Sequence, residues 1–165
     1  MSIGICGQIK LVNNNINEHI ELAYLIQKHA LDKGIGCKLG GNVSRHVYER
    51  YSENEKMGTL LFEVMDSPLD NYSDILFYPT IDANSNNYEQ EFDIKISNSL
   101  EIMHDFLKSI LMNSIVEFIY LDFNYLLIED EEIVDINIDS ISNYLSNLYT
   151  QEEYATPVIR MKITL

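Results

Sequence analysis

Three observations predict an α+β fold, a mostly antiparallel sheet of about six strands with three or four helices packed on it. Apolar and polar side chains alternate every second residue near both ends of the chain. Capped stretches with apolar residues three and four apart lie between these runs. The middle of the sequence reads as consecutive strands, which favours antiparallel pairing over repeated β-α-β units. The 165 residues suit one domain over 1–165, and 46% apolar residues are enough for its core.

The first strand spans residues 2–12, with Ile3, Ile5, Ile9 and Leu11 on one face and Ser2, Gln8 and Lys10 on the other. Asn17 is placed to cap a helix with Glu18 in its first turn, where the helix dipole favours negative charge. That helix runs to about Lys33; Gly34 supplies the left-handed position after it and Ile35 the closing apolar contact. Gly40-Gly41 makes a turn, and Asn42 can cap a short helix carrying Val43, Val47 and Tyr51. Strands follow at Leu60–Met65, Asp74–Tyr78 and 89–96, the last with Phe92, Ile94 and Ile96 inward, and the Asn-rich 83–87 as a loop.

A second helix opens at Asn98-x-x-Glu101, a variant of the capping box, and buries Met103, Phe106, Leu107 and Ile110. A long strand extends from Ile115 to about Ile128, and the like charges of Glu129–Glu132 break it. Asp139 caps a third helix with Ile141, Tyr144, Leu145 and Leu148 on its apolar face. After Pro157 a last strand turns Ile159, Met161, Ile163 and Leu165 inward and Arg160, Lys162 and Thr164 outward.

Charge separates function classes more sharply than any motif. The chain carries 11 bases against 26 acids, a net of −15, which works against direct binding to nucleic acid or anionic lipid. Residues 57–158 hold two bases against 20 acids, a net of −18, whereas 28–56 hold six bases against four acids. Such asymmetry bears on association and not on fold. Two cysteines, at 6 and 37, make no disulfide framework and imply a reducing compartment. The N-terminus lacks a basic signal region and the most apolar run is too short to span a bilayer, so a cytoplasmic location is expected.

No motif names a reaction, and neither a cofactor nor a metal is expected. Asp135-x-Asn137-x-Asp139 opens like a calcium loop but lacks the glycine and the closing glutamate. Asp82-x-Asn84-x-Asn86 fits a hairpin loop better, although its twelfth position is Asp93. Cys6, Cys37 and His46 lack the spacing of a zinc site. Gly36-x-x-x-Gly40-Gly41 follows a helix and has neither a phosphate-loop nor a dinucleotide pattern. An enzyme would need a carboxylate pair such as Glu117 with Asp122, or Asp66 with Asp70, and five residues along a strand put the first pair on opposite faces.

The acidic stretches 63–93 and 117–139, interleaved with Tyr72, Tyr78, Tyr88, Tyr120 and Tyr125, give the chain a resemblance in size and charge to the bacterial immunity proteins of contact-dependent growth inhibition and other polymorphic toxin systems. The resemblance implies a basic protein partner, a toxin domain and often a nuclease, whose Lys- and Arg-lined groove the inhibitor covers with Asp and Glu. The expected contact patch is Glu129, Asp130, Glu131, Glu132 and Asp135, with Asp82, Glu89 and Glu91 second. A small-molecule enzyme, or a regulatory or structural subunit that self-associates through a sheet edge, are the competing classes.

Overall fold

Alternation along the strands gives the sheet two chemically different faces. The computed structural model describes residues 5–65, 88–122, 132–144 and 159–165. Six strands, β1 (Ile5–Leu11), β2 (Gly36–Leu39), β3 (Thr59–Met65), β4 (Val116–Asp122), β5 (Glu132–Asn137) and β6 (Ile159–Thr164), form one sheet in the order β2-β3-β1-β4-β6-β5. Neighbours are antiparallel except β5 and β6. The architecture is α+β, as the sequence predicts.

Two long helices, α1 (Ile16–Asp32) and α4 (Tyr88–Leu111), cover one face. In sequence α1 joins β1 to β2 while β3 lies between them, and α4 lies between β3 and β4, which flank β1. These are two interleaved split β-α-β units. Ile5, Ile9, Phe62, Val64, Ile119, Leu121, Met161 and Ile163 meet Leu22, Ile26 and Ala30 of α1 and Met103, Phe106, Leu107 and Ile110 of α4. Two short helices, α2 (Arg45–Arg50) and α3 (Glu53–Lys56), carry the chain over the opposite face, where Val43, Val47 and Tyr51 close on Cys6 and Leu61.

Several boundaries differ from the sequence reading. Asn15, not Asn17, caps α1, accepting from the Asn17 and Glu18 N–H groups at 3.1 and 3.4 Å. Three consecutive asparagines offer equivalent caps, and packing of the helix selects among them. At the other end Gly34 has φ +72° and its N–H donates to the Leu31 carbonyl, while Ile35 N–H donates to that of Ala30. That is the expected Schellman closure, with Ile35 buried. The short helix after Gly40-Gly41 starts behind Ser44 and not Asn42, and the capping box Ser52-x-x-Glu55 adds α3.

The larger correction concerns 89–96, which is not a strand but the opening of α4. Two-residue alternation over eight positions is weaker than the cooperative extension of the helix behind it, and Glu89 and Glu91 suit a helix N-terminus. Asn98 and Glu101 therefore lie inside a helix rather than at its cap. Strands β2 and β5 appear where none was expected, and Glu132 opens β5 instead of ending a strand. Asn137, not Asp139, supplies the cap of the turn over Ile138–Ser140, accepting from Asp139 N–H at 2.9 Å. The expected strand at 74–78, residues 123–128 and the helix beyond 144 lie outside the described residues.

Gly7 marks the tightest point of the sheet. A Cβ there would fall on the Tyr120 carbonyl oxygen and 2.9 Å from the Phe62 ring, whereas one at Gly34 would meet nothing within 4 Å. Gly7→Ala is therefore expected to cost about 3 kcal/mol or more, from overpacking against backbone. Gly34→Ala should cost only about 1–2 kcal/mol, from the left-handed backbone alone. Urea midpoints for the two variants check the order, and a Gly7→Ala loss no larger than that of Gly34→Ala would contradict the packing.

Candidate functional site

On the sheet face away from α1 and α4, alternation places Cys6, Gln8, Glu63, Tyr120, Asp122 and Arg160 side by side. Residues 43–57 fold across them, released from the sheet edge at Gly40 and returned at Gly58, whose φ values are +58° and +67°. Beside the apolar cluster of Val43, Val47 and Tyr51, polar contacts hold this segment. Ser44 donates its N–H and hydroxyl to the two Glu63 oxygens at 2.8 and 2.9 Å. The Tyr51 hydroxyl donates to Asp122 Oδ2 at 2.5 Å, and Gln8 Nε2 donates to the Glu55 carbonyl at 2.8 Å. Arg160 Nη2 donates to Gln8 Oε1.

Asp122 lies at the centre and is 1% exposed. Its Oδ1 sits 3.8 Å from an Arg50 guanidinium nitrogen and 3.7 Å from Arg160 Nε, while Arg160 Nη1 is 3.7 Å from Glu55 Oε1. The Arg160 guanidinium also lies 4.1 Å from the centre of the Tyr120 ring. Asp122 Oδ1 and Arg160 Nε have no hydrogen-bond partner among the described residues, so their contact is ionic rather than hydrogen-bonded. Two guanidinium groups thus face the buried Asp122 carboxylate, with the half-exposed Glu55 at the rim, and such pairing is the condition under which buried charge is tolerated.

The neighbouring acids are held in their protonated forms. Burial, reinforced by the Asp122 charge, pushes the Cys6 thiol up to about 12. Burial first, then Cys6 and Asp122, pushes the Tyr51 hydroxyl far above its ordinary value. Cys37, on the helix-covered face, is also raised by burial to about 12. A thiol with so little thiolate at neutral pH is a poor nucleophile. The arrangement is a clasp of ion pairs, hydrogen bonds and apolar contacts that fixes 43–57 to β1, β3, β4 and β6.

Of the expected contact patch, Glu129, Asp130, Glu131 and Asp82 lie outside the described residues. Glu132 and Asp135 fall on β5 at the end of the sheet, with Asp135 exposed and in register with Lys162. Glu89 and Glu91 stand in the first turn of α4, on a different element. Two acids counted in the negative stretches, Glu63 and Asp122, are internal and bound. Glu117 is exposed while Asp122 is buried, so the two make no carboxylate pair. Exposed Asp139 meets Lys108 at 3.2 Å, which, with a smaller effect of His104, lowers its pKa.

Among the described residues no three His, Cys, Asp or Glu side chains gather as metal ligands. Cys6 and Cys37 sit at sheet positions of opposite face, and His46 is 3.2 Å from the Ser44 hydroxyl. Arg50, Tyr51 and Arg160 escaped the sequence reading. The available signal was slight: Asp122 ends the apolar run Phe118–Leu121, and Arg160 is one of two bases on the outward face of an alternating strand. No protein-family model, curated protein or solved structure matches the chain.

Tyr51→Phe removes the hydroxyl donor to a buried carboxylate and is expected to cost about 2 kcal/mol. In a Cys37→Ala background it should also speed modification of Cys6 by a thiol reagent about tenfold or more, because opening of 43–57 becomes easier. An unchanged rate would mean that Tyr51 does not hold the segment down. The thiols add a pH dependence. Folded Cys6 and Cys37 keep their protons to about pH 12, whereas the unfolded thiols release theirs near the ordinary 9.0. Stability is thus full below pH 9 and falls across the window to about 12, by a few kcal/mol per thiol. Urea midpoints should fall less steeply across that window for the Cys6→Ala, Cys37→Ala double variant, the remaining fall coming from Tyr51, whose hydroxyl is also raised by burial.

Proposed function

We propose that the protein is an acidic protein-binding inhibitor of the immunity or antitoxin kind, which neutralises a basic partner, a toxin nuclease, by covering its positively charged active-site surface. The observation that carries this reading is the charge distribution: two bases against 20 acids over residues 57–158. Among the described acids of this stretch Glu63 and Asp122 are internal, whereas Glu101, Asp105, Glu117 and Asp135 are exposed. A field of one sign accelerates encounter with an oppositely charged partner and disfavours others.

Contact through Glu129, Asp130, Glu131, Glu132 and Asp135, seconded by Asp82, Glu89 and Glu91, is part of the proposal. So is a cytoplasmic site of action; among the described residues no helix is long and apolar enough to cross a membrane.

Affinity capture of the tagged chain from its own host's lysate, washed at low salt and at about 0.5 M, tests the reading, since salt at that level screens exposed charges beyond a few Å. One basic protein retained through both washes, later shown to be a nuclease that the chain inhibits, is the expected result. A mixture of basic proteins lost at high salt would overturn it. With the purified partner, the association rate should fall about tenfold or more between low salt and about 0.5 M. Replacing Glu129–Glu132 by lysine should slow association while changing dissociation far less.

A further inference from the structure

Helix α1 buries Leu22, Ile26 and Ala30 against the sheet, and a second apolar stripe runs beside that buried face. Ile16, Ile20, Tyr24 and Leu31 are 71, 50, 71 and 60% exposed, and Val12, which leads into the helix, is 55% exposed. At 100° per residue the four helical positions fall within about 80° of one another, and from Ile16 to Leu31 the stripe is about 22 Å long. Exposed apolar residues scattered singly are ordinary, but an aligned stripe, broken here only by Gln27 between Tyr24 and Leu31, marks an interaction surface.

We infer that this stripe pairs with the same stripe of a second copy of the chain, the two α1 helices antiparallel about a twofold axis beside Tyr24. Charge selects both the occupant and the direction. Residues 16–33 hold two bases, Lys28 and Lys33, against three acids, Glu18, Glu21 and Asp32. On a chain of net −15 this helix is nearly neutral, so two copies meet along it with little repulsion. It also offers nothing particular to a basic partner.

Within the helix the acids Glu18 and Glu21 precede the centre, and Lys28 and Lys33 follow it. Glu21 and Lys28 lie about 20° apart on the same flank of the stripe. A twofold between positions 24 and 25 sets Glu21 of each copy opposite Lys28 of the other and brings Ile16 toward Leu31. A parallel pair would set like charges together. Antiparallel helix dipoles add in the same sense. The pairing uses a helix face and not a sheet edge, and it stands independently of any basic partner.

One pair of helices buries less than the roughly 800 Å² per partner of a standard interface, so the dimer is weak and concentration-dependent. Sedimentation should show the mass rising from 19.1 kDa toward twice that value at high protein concentration. Added salt should strengthen association by screening the net repulsion, opposite to its effect on encounter with a basic protein. Ile20→Glu should shift the population back to monomer without altering the thermal midpoint, because Ile20 is half exposed.

Direction is read by oxidation. Tyr24→Cys should cross-link to itself. Ile16→Cys should not, but a mixture of Ile16→Cys and Leu31→Cys chains should. Self-linking of Ile16→Cys would overturn the antiparallel arrangement. A chain that stays monomeric at every concentration, with no cross-link in any variant, would overturn self-pairing and leave the stripe to a different protein.

Discussion

A carboxylate buried in a sheet has to be matched by opposite charge, or it protonates. In this protein the matching of Asp122 organises everything on one side of the sheet. Asp122 ends β4, Arg160 lies opposite it on β6, and Arg50 and Tyr51 reach it from the segment that crosses the face. Remove the carboxylate and two guanidinium groups are left facing each other in a site of low polarity. Remove one arginine and the carboxylate loses half of its compensation. No member can be replaced singly without leaving a buried charge, and such losses are much larger than those of surface ion pairs.

The clasp also explains where the scarce cations go. Of 11 lysines and arginines, Lys10, Lys38, Arg45, Arg50, Lys56, Arg160 and Lys162 lie on the crossing segment or at sheet positions of the face it covers. Arg160 lies over Tyr120 and Lys162 over Phe118, at 4.1 and 4.4 Å from the ring centres, so aromatic faces and acids share them. The face covered by α1 and α4 is sealed by apolar contact instead. One sheet is thus closed by hydrophobic burial alone on one side, and on the other by a small apolar cluster together with compensated charge.

The apolar half was legible in the sequence because its signal is periodic. Ile5, Ile9, Met161 and Ile163 alternate, Met103, Phe106, Leu107 and Ile110 follow a helix, and all are buried as those patterns demand. The polar half was not legible, because alternation says only that Gln8 and Arg160 point away from the apolar core, not that another segment covers them. Asp122 read as an interruption of an apolar run, and its partners lie far away in sequence at Arg50, Tyr51 and Arg160. The stretch 89–96 failed for a different reason. Its alternation was real, but the helix that continues from it to Leu111 decided the local conformation. Of the acidic patch, the sequence revealed the charge but not the geometry that groups it.

Net charge is what remains after pairs have cancelled. Arg50 and Arg160 set against Asp122 and Glu55 contribute nothing to it, and neither do pairs such as Arg45 with Glu49, Lys56 with Glu53 or Lys108 with Asp139. The whole excess of −15 therefore rests on acids beyond these pairs. Paired charges are felt only at contact, whereas an uncancelled charge reaches out to about the Debye length, ~8 Å at physiological salt. The proposed inhibitor reading rests on charge of the second kind, which acts on a basic partner before contact. Compensation at Asp122 and the overall excess of acids are thus separate properties of one chain: the first fixes a segment to the sheet, and the second acts beyond contact.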